Sequence, residues 1–211
     1  MSAPPLTLRS LSLPRRLFQG VLGAGLMALS LGCYLAVLKW RGSDAVLSTQ
    51  TAWDEAIPFW PAWLYVYLAP YAVGPVLFAL LRPGTFAWLM TRGLLTVGIS
   101  LVIFAALPTR TERPKLDGLG DGLTADCYRS MAGIDDPPGN AAPSLHVSLS
   151  CLLAFALCRD FPRWWPAAAA GIGLIWLATL FTWQHHLIDV GTGALLALAV
   201  ALPWPKSHWP R

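Results

Sequence analysis

The chain has 211 residues, 55% of them hydrophobic and only 12% charged, with a mean hydropathy of +0.54. That composition excludes an ordinary soluble domain and points to a polytopic membrane protein. The formal net charge of +4 reports membrane topology rather than a basic patch, so no nucleic-acid partner is expected.

A bilayer core about 30 Å thick calls for roughly 20 apolar residues per helix. Six segments approach that length: 17–38, 60–81, 87–107, 141–158, 164–183 and 187–204. The predicted fold is therefore all-α, a six-transmembrane-helix bundle forming one domain over 17–204, with a flexible tail at 1–16 and a short tail at 205–211. Basic residues precede the first segment as they would in a signal peptide. No small-residue cleavage site follows before Trp40 and Arg41, which predicts a retained anchor. Arg92 interrupts the third segment and the fourth is short. Trp40, Trp60, Trp63, Trp88, Trp164, Trp165, Trp183 and Trp204 fall near segment ends, as an interfacial aromatic belt would.

Six crossings put both termini on one side. Arg9, Arg15, Arg16, Arg82, Arg92, Arg159, Arg163, Lys206 and Arg211 fall on that side, nine of the fifteen basic residues, which predicts cytoplasmic termini in a bacterial inner membrane. Every acidic residue except Asp160 falls opposite. Cys33, Cys151 and Cys158 lie in segments and Cys127 in an exported loop, with neither a disulfide framework nor zinc spacing.

Both long connections face outward. The stretch 41–59 reads as a surface-lying segment or a plain loop, and 108–140, rich in Gly, Asp and Pro, is too long for a passive linker in so small a domain. Its aspartates lack the alternating spacing of a calcium loop. With the amino terminus inside, the fourth and sixth helices run inward, and both open on the outer face. Ser144 and His146 start one; His185 and Asp189 start the other. Ionisable groups in apolar segments are costly, and His185 and Asp189, four residues apart, would share one helical face where the acid orients the base.

Helix starts present free N–H groups and a positive dipole end to a phosphate, and Arg110, Arg113 and Lys115 stand in the preceding loop as a cationic clamp. These residue types suit phosphoryl transfer through a covalent intermediate. One neutral imidazole attacks phosphorus, a second protonates the leaving oxygen, and Asp189 steadies the nucleophile, with no metal or other cofactor called for. His186, turned about 100° from His185 on a helix, is expected to support the site or face the interface.

The motifs resemble those of the type 2 phosphatidic acid phosphatase superfamily: Lys, six residues, Arg-Pro; then Pro-Ser-Gly-His; then Ser-Arg, five residues, His, three residues, Asp. Arg113-Pro114, Pro143-Ser144-Leu145-His146 and His185 with Asp189 match in that order, and the resemblance covers roughly 108–203. It implies His185 as nucleophile, His146 as general acid, Asp189 as orienting carboxylate, and Arg113 and Ser144 as phosphate ligands. Ala106 stands where the family has Lys, Ala178-Thr179 where it has Ser-Arg, and Leu145 where it has Gly; Thr179 thereby becomes a further phosphate-binding candidate. The strings Pro-Ser-Leu-His and Gln184-His185-His186 are similar to a divergent branch of inositol phosphotransferase-like enzymes and of bacterial proteins fused to a dual-specificity phosphatase.

The implied activity is a lipid phosphate phosphatase acting on a phosphomonoester or pyrophosphate at the extracytoplasmic face. The alternative is a phosphotransferase moving a phosphoryl or headgroup to a hydroxyl such as that of inositol. From other classes, a haem or metal protein ligated by His146 and His185 would leave Arg113, Asp189 and Ser144 without roles. A lipid-binding or transport protein on a catalytically dead scaffold would account for the missing cations.

Overall fold

The computed structural model describes residues 12–44, 47–113, 116–134 and 137–202. Lys115 and the end of the last predicted segment at Trp204 lie outside them. Among the described residues seven α-helices follow in order: α1 Leu13–Arg41, α2 Leu64–Leu80, α3 Pro83–Ala106, α4 Leu123–Ile134, α5 Leu145–Asp160, α6 Trp165–Phe181 and α7 Leu187–Ala201. Two parallel two-residue strands, β1 Leu47–Ser48 and β2 Thr109–Arg110, join the outer connections. The fold is all-α with several long apolar helices, consistent with an integral membrane protein.

Four segments among the described residues, not six, are long and apolar enough to cross a bilayer: Leu13–Arg41, Pro61–Leu80, Pro83–Ala106 and Pro162–Phe181. The fourth and sixth expected segments fall short of that length. With 16 and 15 residues, α5 and α7 rise only about 24 and 22 Å at 1.5 Å per residue. Predicted segment 141–158 loses its first four residues because Ser144, in an extended conformation, is the N-cap of α5. A short helix is sustainable there because α5 is inner: it packs against α3, α6 and α7 and buries Val147, Ser148, Cys151, Leu152, Ala154, Ala156 and Leu157.

Other boundaries also shift. Pro14, Pro83 and Pro166 open α1, α3 and α6 in the first turn, where a missing N–H costs nothing. Hence α1 starts four residues before the predicted segment and α3 likewise, and α3 runs unbroken through Arg92. The connection 108–140 contains α4, which its Gly, Asp and Pro content concealed.

Hydrogen bonds sort the helix ends into two sets. At one end, Gln19 Nε2 donates to the carbonyls of Phe78 (3.2 Å) and Leu81 (3.1 Å). There too, Asp160 accepts from the Arg82 N–H (2.6 Å) and the Thr85 hydroxyl (2.7 Å), so the end of α5 caps the start of α3. At the other, Tyr34 donates to the Gly139 carbonyl, the Trp60 N–H to the Phe181 carbonyl at 2.8 Å, and the Ser144 N–H to the Asp189 carbonyl at 3.0 Å. Both histidine motifs belong to this second end.

Candidate functional site

The starts of α5 and α7 meet backbone to backbone. Besides the bond from Ser144 to Asp189, the Ser148 hydroxyl donates to the Gly193 carbonyl at 2.9 Å, and a Cβ on Gly193 would lie 2.6 Å from the Ser144 carbonyl oxygen. Only glycine permits that approach. It carries His146, in the first turn of α5, to the neighbourhood of His185, and the two imidazoles act on each other electrostatically.

His185 is not on α7. The helix begins at Leu187 with His186 as N-cap, so the shared-face geometry is realised across a helix start instead. What places His185 is the end of α6. Trp183 takes a left-handed conformation (φ 52°), its N–H reaches the Leu180 carbonyl at 3.0 Å, and the Gln184 N–H reaches the Thr179 carbonyl at 3.1 Å. That is a Schellman arrangement built on tryptophan where glycine is usual. The Trp183 indole N–H donates to the Ile57 carbonyl at 3.1 Å and secures it. The Thr179 carbonyl also accepts the His185 N–H, at 3.1 Å.

Asp189 is fully buried, and its Oδ2 serves two neighbours: it accepts the His186 N–H at 2.8 Å and stands 3.5 Å from His185 Nδ1. The second distance exceeds a good hydrogen bond, so that contact is electrostatic. His185 Nδ1 and Asp189 Oδ1 are both buried without a hydrogen-bond partner. Orphaned buried polar atoms are costly, and here two of them share one constellation. With Nδ1 turned to the carboxylate, His185 offers Nε2 to a ligand.

His146 is held from the opposite nitrogen. Its Nε2–H donates to the Tyr67 carbonyl at 2.6 Å, the Tyr67 ring stacks on the imidazole at 4.1 Å, and Tyr71 meets it edge-on at 5.4 Å. This leaves Nδ1 for proton exchange.

Of the phosphate-ligand candidates, Ser144 is fully buried as the N-cap of α5, its Oγ accepting the Val147 N–H at 3.4 Å. The Thr179 hydroxyl is also fully buried and donates to the Trp176 carbonyl at 2.8 Å; its carbonyl is what reaches the site. Arg110 is exposed and paired with Glu112 at 3.3 Å. Arg113 is half-buried and lines a cleft of about 300 Å³ with Leu116, Tyr128, Met131, Ala132 and Gln184, the residue before His185. Burial pushes the Tyr128 phenol up, and its hydroxyl is buried without a hydrogen-bond partner.

Several supporting residues carried no recognised signal. Asp54 accepts the Leu187 N–H through Oδ1 (2.8 Å), capping α7 from the α1–α2 connection, while Oδ2 accepts the Thr51 N–H (2.8 Å) and hydroxyl (2.6 Å). The spacing of Thr51 and Asp54 is that of a local capping box, but nothing in it names the distant partner. Burial raises the Asp54 carboxyl, yet the bonds from Thr51 and Leu187 and the nearby His186 together hold it below its ordinary 3.8. His186 is buried and shares a 2.8 Å hydrogen bond between Nδ1 and the Thr49 hydroxyl. Burial pulls its imidazole down, assisted by His185, against the carboxylates of Asp189, Asp54 and Glu112.

Among the described residues, no cluster of His, Cys, Asp and Glu is arranged to hold a metal ion. No family model, no curated protein and no solved structure matches the chain.

Proposed function

We propose that the chain is an integral membrane enzyme that hydrolyses a lipid phosphate through a phosphohistidine intermediate at the extracytoplasmic face. The observation that carries this reading is the junction of α5 and α7, which sets His146 near His185 and puts a buried carboxylate 3.5 Å behind His185 Nδ1. Nε2 of His185 attacks phosphorus, and the bond from phosphorus to the lipid oxygen breaks. His146 delivers a proton from Nδ1 to that oxygen. Asp189 stabilises the positive charge on the phosphorylated ring. Water then attacks phosphorus and gives a proton back to His146 Nδ1, the phosphorus–nitrogen bond breaks with its electron pair returning to His185 Nε2, and inorganic phosphate departs. Arg113, beside Gln184 at the cleft, supplies positive charge to the phosphate oxygens.

In this reading the shorter α5 and α7 complete six crossings, with both termini cytoplasmic. Arg15, Arg16, Arg82, Arg159 and Arg163 gather at the end away from the histidines, which supports that orientation.

The test is phosphate release in detergent from phosphatidate, phosphatidylglycerophosphate, polyprenyl pyrophosphate and a phosphoinositide, with chelator present, with and without inositol. The expected result is turnover that survives chelation and falls roughly 10²- to 10⁴-fold in His185→Ala. Equal rates for wild type and variant would overturn the proposal, and inositol-dependent transfer would redirect it to a phosphotransferase.

A further inference from the structure

Between α1 and α2 lies an apolar groove of about 410 Å³, formed by Ala24, Met27, Ala28 and Leu31 on α1 and Tyr71 and Pro75 on α2. The α1 residues recur at helical spacing, and the two alanines leave the depth that larger side chains would fill. Leu31 and Tyr71, which line it, are themselves exposed, so the groove opens on the outside of the helix pair.

Two features connect it with the histidines. Tyr71 belongs both to the groove and to the aromatic contact with His146, 5.4 Å away, so one end of the groove abuts the imidazole. Depth is the second. At 1.5 Å per residue, Tyr71 and Pro75 lie about 10 and 16 Å below the start of α2, and Leu31 and Ala24 about 15 and 25 Å below the end of α1. The groove thus descends through hydrocarbon depth directly under the site.

We propose that this groove seats a hydrocarbon chain of the lipid whose phosphate reaches His146 and His185, with Tyr71 dividing chain from headgroup. The proposal rests on the lipid-phosphatase reading and adds to it the path by which the substrate is recognised. Substrates are then selected by their chains as well as by their phosphate.

The experiment uses the full-length protein in bilayers, with a photoreactive diazirine in the acyl chain of phosphatidate and, separately, of phosphatidylcholine. Peptide mass spectrometry locates the label. The phosphatidate probe is expected to mark the groove residues of α1 and α2, in wild type and in His185→Ala alike, several-fold above the phosphatidylcholine probe. Ala28→Trp, or the milder Ala24→Leu, is expected to remove that labelling. The same variants should raise KM for long-chain phosphatidate about tenfold while leaving the soluble dihexanoyl form unchanged. Equal labelling by both probes would make the groove ordinary lipid contact and overturn the proposal, as would labelling that ignores both substitutions. Selective labelling without phosphate release from any substrate would support the groove and remove the hydrolytic reading alone.

Discussion

Asp54 Oδ1 accepts the backbone N–H of Leu187 at 2.8 Å, across 133 residues of chain. A carboxylate from the α1–α2 connection thus completes the start of the helix that carries Asp189.

Removing it exposes an orphan helix N–H in a buried setting. Asp54→Ala is expected to destabilise the fold by roughly 1–3 kcal/mol, read as a fall in melting temperature, and to lower turnover by loosening the turn that holds His185. Because the folded carboxyl is held below 3.8, its contribution is complete above that value and is lost as pH falls through the lower folded value. Acid unfolding curves of wild type and Asp54→Asn should converge there, and divergence persisting at lower pH would count against this assignment.

His186 titrates in the opposite chemical sense. Burial lowers its imidazole below 6.5 in the folded chain, so the unfolded chain binds the proton more readily. Stability contributed above 6.5 should therefore decline as pH falls towards the folded value. Melting temperature from about pH 7 to about pH 5 should slope less in His186→Asn, which keeps a partner for Thr49 and cannot be protonated there. An unchanged slope would count against His186 as the source of the pH response.

Asp189 has two duties that one pair of substitutions separates. Asp189→Asn retains an oxygen to accept the His186 N–H but loses the charge behind His185. Turnover should fall roughly 10²- to 10⁴-fold with little change in melting temperature. Asp189→Ala should lose both activity and about 1 kcal/mol of stability. Full activity in the asparagine variant would reduce the residue to a helix cap.

The helix junction itself is testable through Gly193. A methyl there would lie 2.6 Å from the Ser144 carbonyl, so α5 and α7 must part. Gly193→Ala should cost roughly 1–3 kcal/mol and impair phosphate release, whereas Gly173→Ala on α6, with open space around it, should be neutral or mildly stabilising. Thermal unfolding and turnover of the two variants side by side provide the check.

The histidine motifs were legible because their chemistry is local: an imidazole four residues before a carboxylate, and a serine two before another imidazole, each at the start of an apolar run. The partners that aim them were not. Tyr67 reaches His146 across 79 residues and Thr49 reaches His186 across 137, through a carbonyl and a hydroxyl that leave no pattern in the chain. The last predicted segment begins at Leu187, as α7 does, but His185 falls before the helix rather than on it, because Trp183 adopts the left-handed conformation without the glycine that announces it. Hydropathy likewise measures apolar length and not surroundings, so it could not tell the enclosed α5 from the helices with exposed apolar faces.

The burial of α5 sets a different rule for bilayer thickness. Helices that touch lipid, such as α1 with its exposed Leu17, Val21 and Leu29, must answer a thicker or thinner membrane by tilting or by dragging the surrounding lipid. An enclosed helix has no such obligation. The first turn of α5, which carries His146, is therefore shielded from changes in the membrane's own dimensions.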